Sequence, residues 1–474
     1  GPPPGKRMAL FVDDVNMPAL EEYGASPPVE LLRQFLDFQG FYDRQKLFWK
    51  SIEGVTLISG CGPPGGGRNA LTPRFVRHHT VMAVTQPNSD AMKKIFSCIM
   101  SGHLAPNGNA EVMGCTKPIV DSTVDLFFSV LRDLKPIPAK SHYTFNLRDV
   151  SKVIQGVLMM KATAIPSKEI LARLWCHEAL RVFCDRLIDN DDREYFRTLI
   201  SDYVKVQFKL PWTKEELFEG ENKLVFGDYM RMGVPREDRR YEDVPDTRRI
   251  PTLFGDYLDE YNSENKEMRL VFFWDACDHV SRLARVLRQP RGNAMLVGVG
   301  GSGKQSLTRL AAFISGFSVF QVKLTSTYSM ADFRADLSTL YSRAGLRGEG
   351  LVFLLTDQQV VHERMLVYFN DMLSSGTLPD LYTSEDKDNV VNAIRNEVKA
   401  AGVMDSSENC WDFFIDKVRS NLHVVLCMSP VGDAFRVRCR MFPALTACTA
   451  IDWFHPWPTA ALISVAMRFL EDVD

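Results

Sequence analysis

The sequence has no CxxC pair, no histidines at metal-ligand spacing, no apolar run of membrane-spanning length and almost no net charge. Each absence removes a class of function. Ten cysteines stand singly among apolar neighbours, as in FSCIM, RVFCD and VVLCM, so buried reduced thiols are expected rather than a zinc or dithiol motif. A membrane span needs roughly 18 to 20 consecutive apolar residues, and none is present, so no membrane partner is expected. The formal charge of −3 supplies no basic field to attract nucleic acid or anionic lipid. No secretory leader opens the chain, which starts GPPPGKR without Met and runs straight into a strand, so the segment is expected to begin inside a longer natural chain; the reduced thiols suggest a cytosolic compartment.

What is present is an ordinary globular composition, 45% hydrophobic and 24% charged over 474 residues. At usual domain sizes that length accommodates roughly three to four domains.

The chain also repeats itself. One copy reads MALFVDDVNMP, VTLISGCGPPGGGRN, TPRFVRHHTVMAVTQP and then a helical DAMKKIFSCIM. The other reads LVFLLTDQQVV, NLHVVLCMSPVGDAFRVR, CRMFPALTACTAIDWFHPWP and then a helical AALISVAMRFL. Each predicts a strand ending in Asp, a second strand, a turn, an arginine at the head of a third strand, a proline and a helix. The second copy carries an extra charged tract, TSEDKDNVVNAIRNEVKAAGVMDSSEN, which reads as a partly helical surface insertion. It also has an upstream strand, AMLVGV, followed by GGSGKQS and a helix. Counted back from Asp13, the spacing between Lys304 and Asp357 falls ahead of residue 1, so the first copy's equivalent loop is expected upstream of this chain.

Between the copies, segments such as LRDVSKVIQGVLMM and EILARLWCHEALRVFCDRL have apolar residues at helical spacing. Strands alternating with helices imply parallel α/β layers, with the helical block as a lid. The expected division is residues 1–90 as the later part of a first α/β domain and 91–235 as its helical lid. Residues 236–268 follow as an exposed Pro- and charge-rich linker. Residues 269–452 form a second α/β domain, and 453–474 open its lid.

Gly298-Val299-Gly300-Gly301-Ser302-Gly303-Lys304 fits GxxxxGK. Its glycines let backbone N–H groups converge on phosphate oxygens, the following helix points its positive end at them, and Lys304 adds a charge toward the β and γ phosphates. ATP or ADP is the expected ligand. The usual hydroxyl after the Lys is replaced by Gln305, and Ser306 comes one position late, so Mg²⁺ is held less directly. An apolar strand ending Asp-Glu is the second ATPase element. There the Asp holds Mg²⁺ and the Glu activates water. The second copy ends Asp357-Gln358, and a neutral Gln cannot take the proton, a loss of about 10²–10⁴ in rate. The first copy ends Asp13-Asp14 and keeps a carboxylate. Asp13 and Asp357 are the candidate metal ligands.

Aligning Thr80 with Thr446 sets Arg74 opposite Arg440, each a candidate to reach a nucleotide on an adjacent module and stabilise γ-phosphate charge. Arg148, just after a helix start at Asn146 with Asp149 in the first turn, is a candidate phosphate sensor in the lid.

The motifs FVDDVNMP, GPPGGGRN, LTPRFVRH, YTFNLRDVSKVIQG, MLVGVGGSGKQSLTRLAAFI, NLHVVLCMSPVGDAFR and IDWFHPWP cover nearly the whole chain. Through them it resembles dynein heavy chains of the axonemal type, over the later part of the third AAA+ module and most of the fourth. The resemblance implies tandem P-loop modules in an ATP-driven motor ring that moves along microtubules, with ATP/ADP and Mg²⁺ as cofactors. In that family the first module is the main hydrolytic site, and the third and fourth regulate. By motif position, Asp13, Asp14 and Arg148 belong to the third site, Arg440 is its trans arginine and Arg74 serves the second. The implied partners are the other modules, microtubules through a stalk beyond Asp474, and intermediate and light chains, in a ciliary or flagellar axoneme. Gln305 and Gln358 depart from active AAA+ patterns. Two other readings compete. A ribosome-maturation type remodelling ATPase using this site would keep Glu at position 358. A nucleotide-cemented scaffold would show no turnover.

Overall fold

The structure is a computed structural model and describes residues 2–3, 5–65, 68–218, 220 and 223–470. The chain divides into two compact units, Gly1–Pro87 and Asn88–Asp474.

In the first unit, β1 (Met8–Val12) leads through α1 (Pro27–Phe38) and the antiparallel pair β2 (Gly40–Tyr42) and β3 (Trp49–Ser51) to β4 (Val55–Ser59). β1 and β4 pair in parallel, Met8 opposite Val55 and Val12 opposite Ser59. Helix α1 starts on Pro27, where a missing N–H costs nothing, and stops at Gln39 in the left-handed region. A short helix, α2 (Pro73–Val76), drops Phe75 into a small core with Val15 and Val29. The third strand expected to start just after Arg74 does not form; Pro73 starts a helix instead, and residues 77–87 carry no strand.

The second unit opens with a helical block: α3 (Ser89–Leu104), α4 (Ala110–Met113), α5 (Thr116–Asp133), α6 (Leu147–Val157), α7 (Lys168–Ala179), α8 (Asn190–Tyr203) and α9 (Lys214–Phe218). Caps set its boundaries: Asn146 and Asp149 form a reciprocal capping box on α6, and Ser167 caps α7. The inward faces share one core that includes Met100, Val124, Trp175, Phe183 and Phe196. A two-residue ladder, β5 (Phe226–Gly227) with β6 (Glu242–Asp243), then leads to α10 (Ile250–Glu264). The linker expectation for 236–268 is therefore corrected. The Pro and charge cluster ends at Ile250, and Ile250, Phe254, Tyr257 and Leu258 are buried in the core of the following domain.

That domain runs α11 (Trp274–Arg288), β7 (Ala294–Val297), α12 (Lys304–Ile314), β8 (Ser318–Gln321), α13 (Met330–Gly345) and β9 (Leu351–Thr356). It continues through α14 (Arg364–Ser374), α15 (Ser384–Ala400), α16 (Ser407–Asn421), β10 (Leu422–Met428), α17 (Ala434–Met441), α18 (Pro443–Ala447), β11 (Ala450–Trp453) and α19 (Thr459–Leu470). Its five strands form one parallel sheet in the order β11-β7-β10-β9-β8. The central strands are buried on both faces, as their unbroken apolar runs require. The charged insertion is helical over α15, which buries Val390, Val391, Ile394 and Val398.

The helical block docks on this domain through buried charges that neutralise one another. Glu178 accepts from Arg285 and Asp278 from Arg181 at 2.9 Å, while within the domain itself Asp452 accepts from Arg282 at 2.6 Å and from His279 at 2.7 Å. Burial pushes the Glu178 carboxyl up, but Arg285 and His177 outweigh it and hold the group at about 2. His142 stacks on Trp453 at 5.0 Å, and Lys152 Nζ donates to the carbonyls of Ala447 (3.1 Å) and Thr449 (3.2 Å).

Candidate functional site

β7 delivers the chain to Gly298 at the carboxyl edge of the sheet, where a Cβ would lie 2.6 Å from the Cβ of Phe454. The loop then turns twice through left-handed glycines, Gly301 at φ +78° and Gly303 at φ +83°. Ser302 Oγ donates to the Val299 carbonyl at 2.9 Å and ties the loop. Helix α12 starts at Lys304, so its unpaired N–H groups and positive end face the space above the loop. Lys304 Nζ donates to the carbonyls of Gly298 (2.6 Å) and Val299 (2.7 Å) and lies 3.1 Å from Ser302 Oγ. Burial lowers its pKa, against the opposing influence of Cys427 and Asp357.

A cleft of about 730 Å³ opens over this loop, lined by Gly298, Gly300 through Ser306, Arg309, Asp357, Gln358 and Ser429. Of the expected loop residues, only Val299 points elsewhere, into solvent. A second cavity of about 470 Å³ shares Gly301, Ser302, Gly303 and Ser306 with it. Its lining is mixed: Leu270, Val271, Phe273, Trp457 and Pro458 are apolar, with the Phe273 and Trp457 rings edge to face at 5.3 Å, while Arg193, Asp275, Asp278 and Arg282 bring charge. Sequence reasoning missed this cavity, because its lining comes from the segment before α11, from α11 itself and from the segment after β11, which meet only through the fold.

The acidic strand end sits at the same edge. The parallel register sets Thr356 opposite Cys427, so Asp357 emerges beside Ser429. Asp357 Oδ2 accepts the Ser429 N–H, and Oδ1 accepts Arg438 Nη1 at 2.9 Å. Burial raises the Asp357 pKa, while the Ser429 N–H and Arg438 pull it back. Gln358 is exposed. Gln359 is buried and structural, accepting from the Thr356 N–H at 3.0 Å and donating to the Val322 carbonyl at 2.6 Å. Gln305 Oε1 accepts from Gln321 at 3.3 Å. Arg438 also went unanticipated; the only signal for it was the alternating run FRVRCR.

In the first unit, Asp13 is exposed at the end of β1 and accepts the Asp14 N–H at 3.0 Å. Asp14 has φ 49° and is held by Arg68 at 2.7 Å. Arg74 and Arg440 are both exposed and lie on helices, α2 and α17, where strand heads were expected. Pro73 and Pro443 each start a short helix whose third residue, Phe75 or Leu445, is buried. Arg148 is exposed in the first turn of α6, and neither it nor Arg440 lines the two cavities.

Residues 268–474 match the family model of the P-loop containing dynein motor region D4, residues 1–87 that of the P-loop containing dynein motor region, and residues 119–218 that of an AAA+ lid domain. Over its whole length the chain is 48% identical to dynein axonemal heavy chain 6 of Homo sapiens. It is 45% identical to the flagellar outer arm dynein beta chain of Chlamydomonas reinhardtii and 43% to the ciliary dynein beta chain of Tripneustes gratilla. The chain belongs to the dynein motor family. It spans 11% of the length of the first of these relatives and 10% of each of the other two. The dynein D4 match begins beside α11 and takes in the whole five-stranded sheet; the AAA+ lid match falls within the helical block.

The residues around Asp357 do not fit the usual Mg²⁺ seat of a P-loop. That ion takes one or two carboxylates together with phosphate oxygens and water. Here the hydroxyl next to the lysine is replaced by an amide, and both Asp357 oxygens are already engaged.

Proposed function

We propose that this chain is part of the ATP-driven motor ring of a ciliary or flagellar dynein heavy chain, and that its D4 module holds ATP or ADP in a regulatory rather than a hydrolytic role. The observation that carries this is the pairing of the Gly298–Lys304 phosphate loop with Gln358 at the acidic strand end. Amides of residues 298–304, the start of α12 and Lys304 bind the phosphates, and the cavity beyond Gly301, with Leu270, Phe273 and Trp457 in its lining, takes the base. No carboxylate follows Asp357 to accept a proton from water. Asp13 and Asp14 belong to a second, hydrolysis-capable site completed elsewhere in the heavy chain. Arg148 and Arg440 serve that site, and Arg74 the one before it. Microtubules and the intermediate and light chains are engaged by other parts of the same heavy chain, in the axoneme.

Titration calorimetry with ATP and ADP tests this directly. Lys304→Ala should weaken binding by at least about tenfold through loss of one charge-assisted contact. Phosphate release by the unaltered chain should stay at background. Equal affinity in the variant would place the nucleotide elsewhere. Turnover that Lys304→Ala abolishes would end the regulatory assignment.

A further inference from the structure

Helix α17 buries Phe435 and Cys439 in the core beside β9, and Arg438 lies on the same helical face. Its two arginine neighbours point outward: Arg436 pairs with Asp433, and Arg440 is exposed. Arg438 is only 14% exposed and forks between two acids. Nη1 donates to Asp357 Oδ1 at 2.9 Å, while Nη2 and Nε donate to Glu363 Oε1 at 2.7 and 3.1 Å. With the Ser429 N–H on Oδ2, the carboxylate that faces the phosphate cleft is neutralised from within the module. In P-loop sites a divalent cation does that work, offsetting repulsion between the acidic strand end and the phosphate chain.

We propose that Arg438 takes the place of that cation: the D4 module binds a nucleoside di- or triphosphate with little dependence on Mg²⁺, and Glu363 is the positioning residue that keeps the guanidinium on Asp357. The proposal rests on the reading of the Lys304 loop as the nucleotide seat. It explains why the site does without a hydroxyl at position 305. A guanidinium fixed on two carboxylates needs no further ligand from the loop.

The test is ATP affinity in excess Mg²⁺ and in EDTA. For the unaltered chain the two dissociation constants should agree within about threefold. Arg438→Gln should weaken binding in EDTA by about tenfold or more, with Mg²⁺ restoring it, because Asp357 is then bare and repels the phosphates. Glu363→Gln should move the ratio the same way by about threefold, since the guanidinium keeps its charge but loses one anchor. If the unaltered chain is already strongly Mg²⁺-dependent and Arg438→Gln leaves that ratio unchanged, the proposal is overturned. Should Arg438→Gln fail to fold, the ratio in the unaltered chain and in Glu363→Gln still decides. Lys304→Ala separates the two levels. Weakened binding in that variant together with a Mg²⁺-dependent wild type rejects the Arg438 clamp alone. No loss of binding rejects the nucleotide seat and the clamp with it.

Discussion

β1 and β9 are the same strand in two copies, each an apolar run ending in an acid, yet they differ in which acid is held. At the end of β1 the second carboxylate, Asp14, is gripped by Arg68 from the Gly-rich turn, and Asp13 is left toward solvent. At the end of β9 the first carboxylate, Asp357, is gripped by Arg438 from a helix, and the second position is a neutral, exposed Gln358. One strand frame therefore accepts opposite divisions of labour. The residue that decides is the arginine, and it arrives from a different element in each copy.

Reversing both differences at β9 should have the largest effect. Gln358→Glu supplies a base and Arg438→Gln releases Asp357. Together they should raise ATP hydrolysis by about 10²-fold or more, the range that a positioned general base contributes. Gln358→Glu alone should give far less. Phosphate release by the single and double variants checks this; equal rates would mean that the two strand ends differ only at position 358.

A smaller effect separates the strands that carry these ends' neighbours. β10 holds His423 where β4 holds Val55. His423 is fully buried, with Nδ1 at 2.5 Å from the Gly292 carbonyl and, among the described residues, no partner for Nε2. Burial pushes its pKa down to about 4. The unfolded chain takes up this proton near about 6.5, so between those values the unfolded state binds more protons. Stability must therefore fall as pH drops from about 6.5 toward about 4. His142 and His177, also held near about 4 by burial, act in the same direction. His423→Gln keeps a donor for Gly292 and should remove on the order of 2 kcal/mol of that loss. Thermal unfolding of both proteins at pH 7 and pH 5 reads it. Parallel pH profiles would assign the titration to other groups.

The phosphate loop was legible in the sequence because its signal is contiguous: glycines, a lysine, an apolar strand before and a helix after. β9 and β10 were legible because a doubly covered parallel strand reads as an unbroken apolar run. Failures came where tertiary contact decides. Pro73 and Pro443 start helices near where the repeat pattern put strand heads. Ile250, Phe254, Tyr257 and Leu258 have helical spacing, but a Pro- and charge-rich approach disguised α10 as linker. Arg438 reaches Asp357 from another element altogether, and no local pattern marks which of three alternating arginines turns inward.

The least effect is expected at the β1 end. The Arg68–Asp14 pair is 25% and 37% exposed, and such pairs contribute about 0–1 kcal/mol. Arg438 is more enclosed and has two acceptors, so its truncation to Ala should cost about 1–2 kcal/mol, near the value of hydrogen bonds to charged groups. Urea unfolding of Arg68→Ala and Arg438→Ala, followed by a probe in each unit, measures the gap. Matching losses would mean that both arginines are ordinary surface partners and that the enclosure of Arg438 has no energetic weight. A gap in the stated direction would tie the clamp on Asp357 to the stability of the domain that carries it. Releasing that carboxylate would then require work from bound nucleotide.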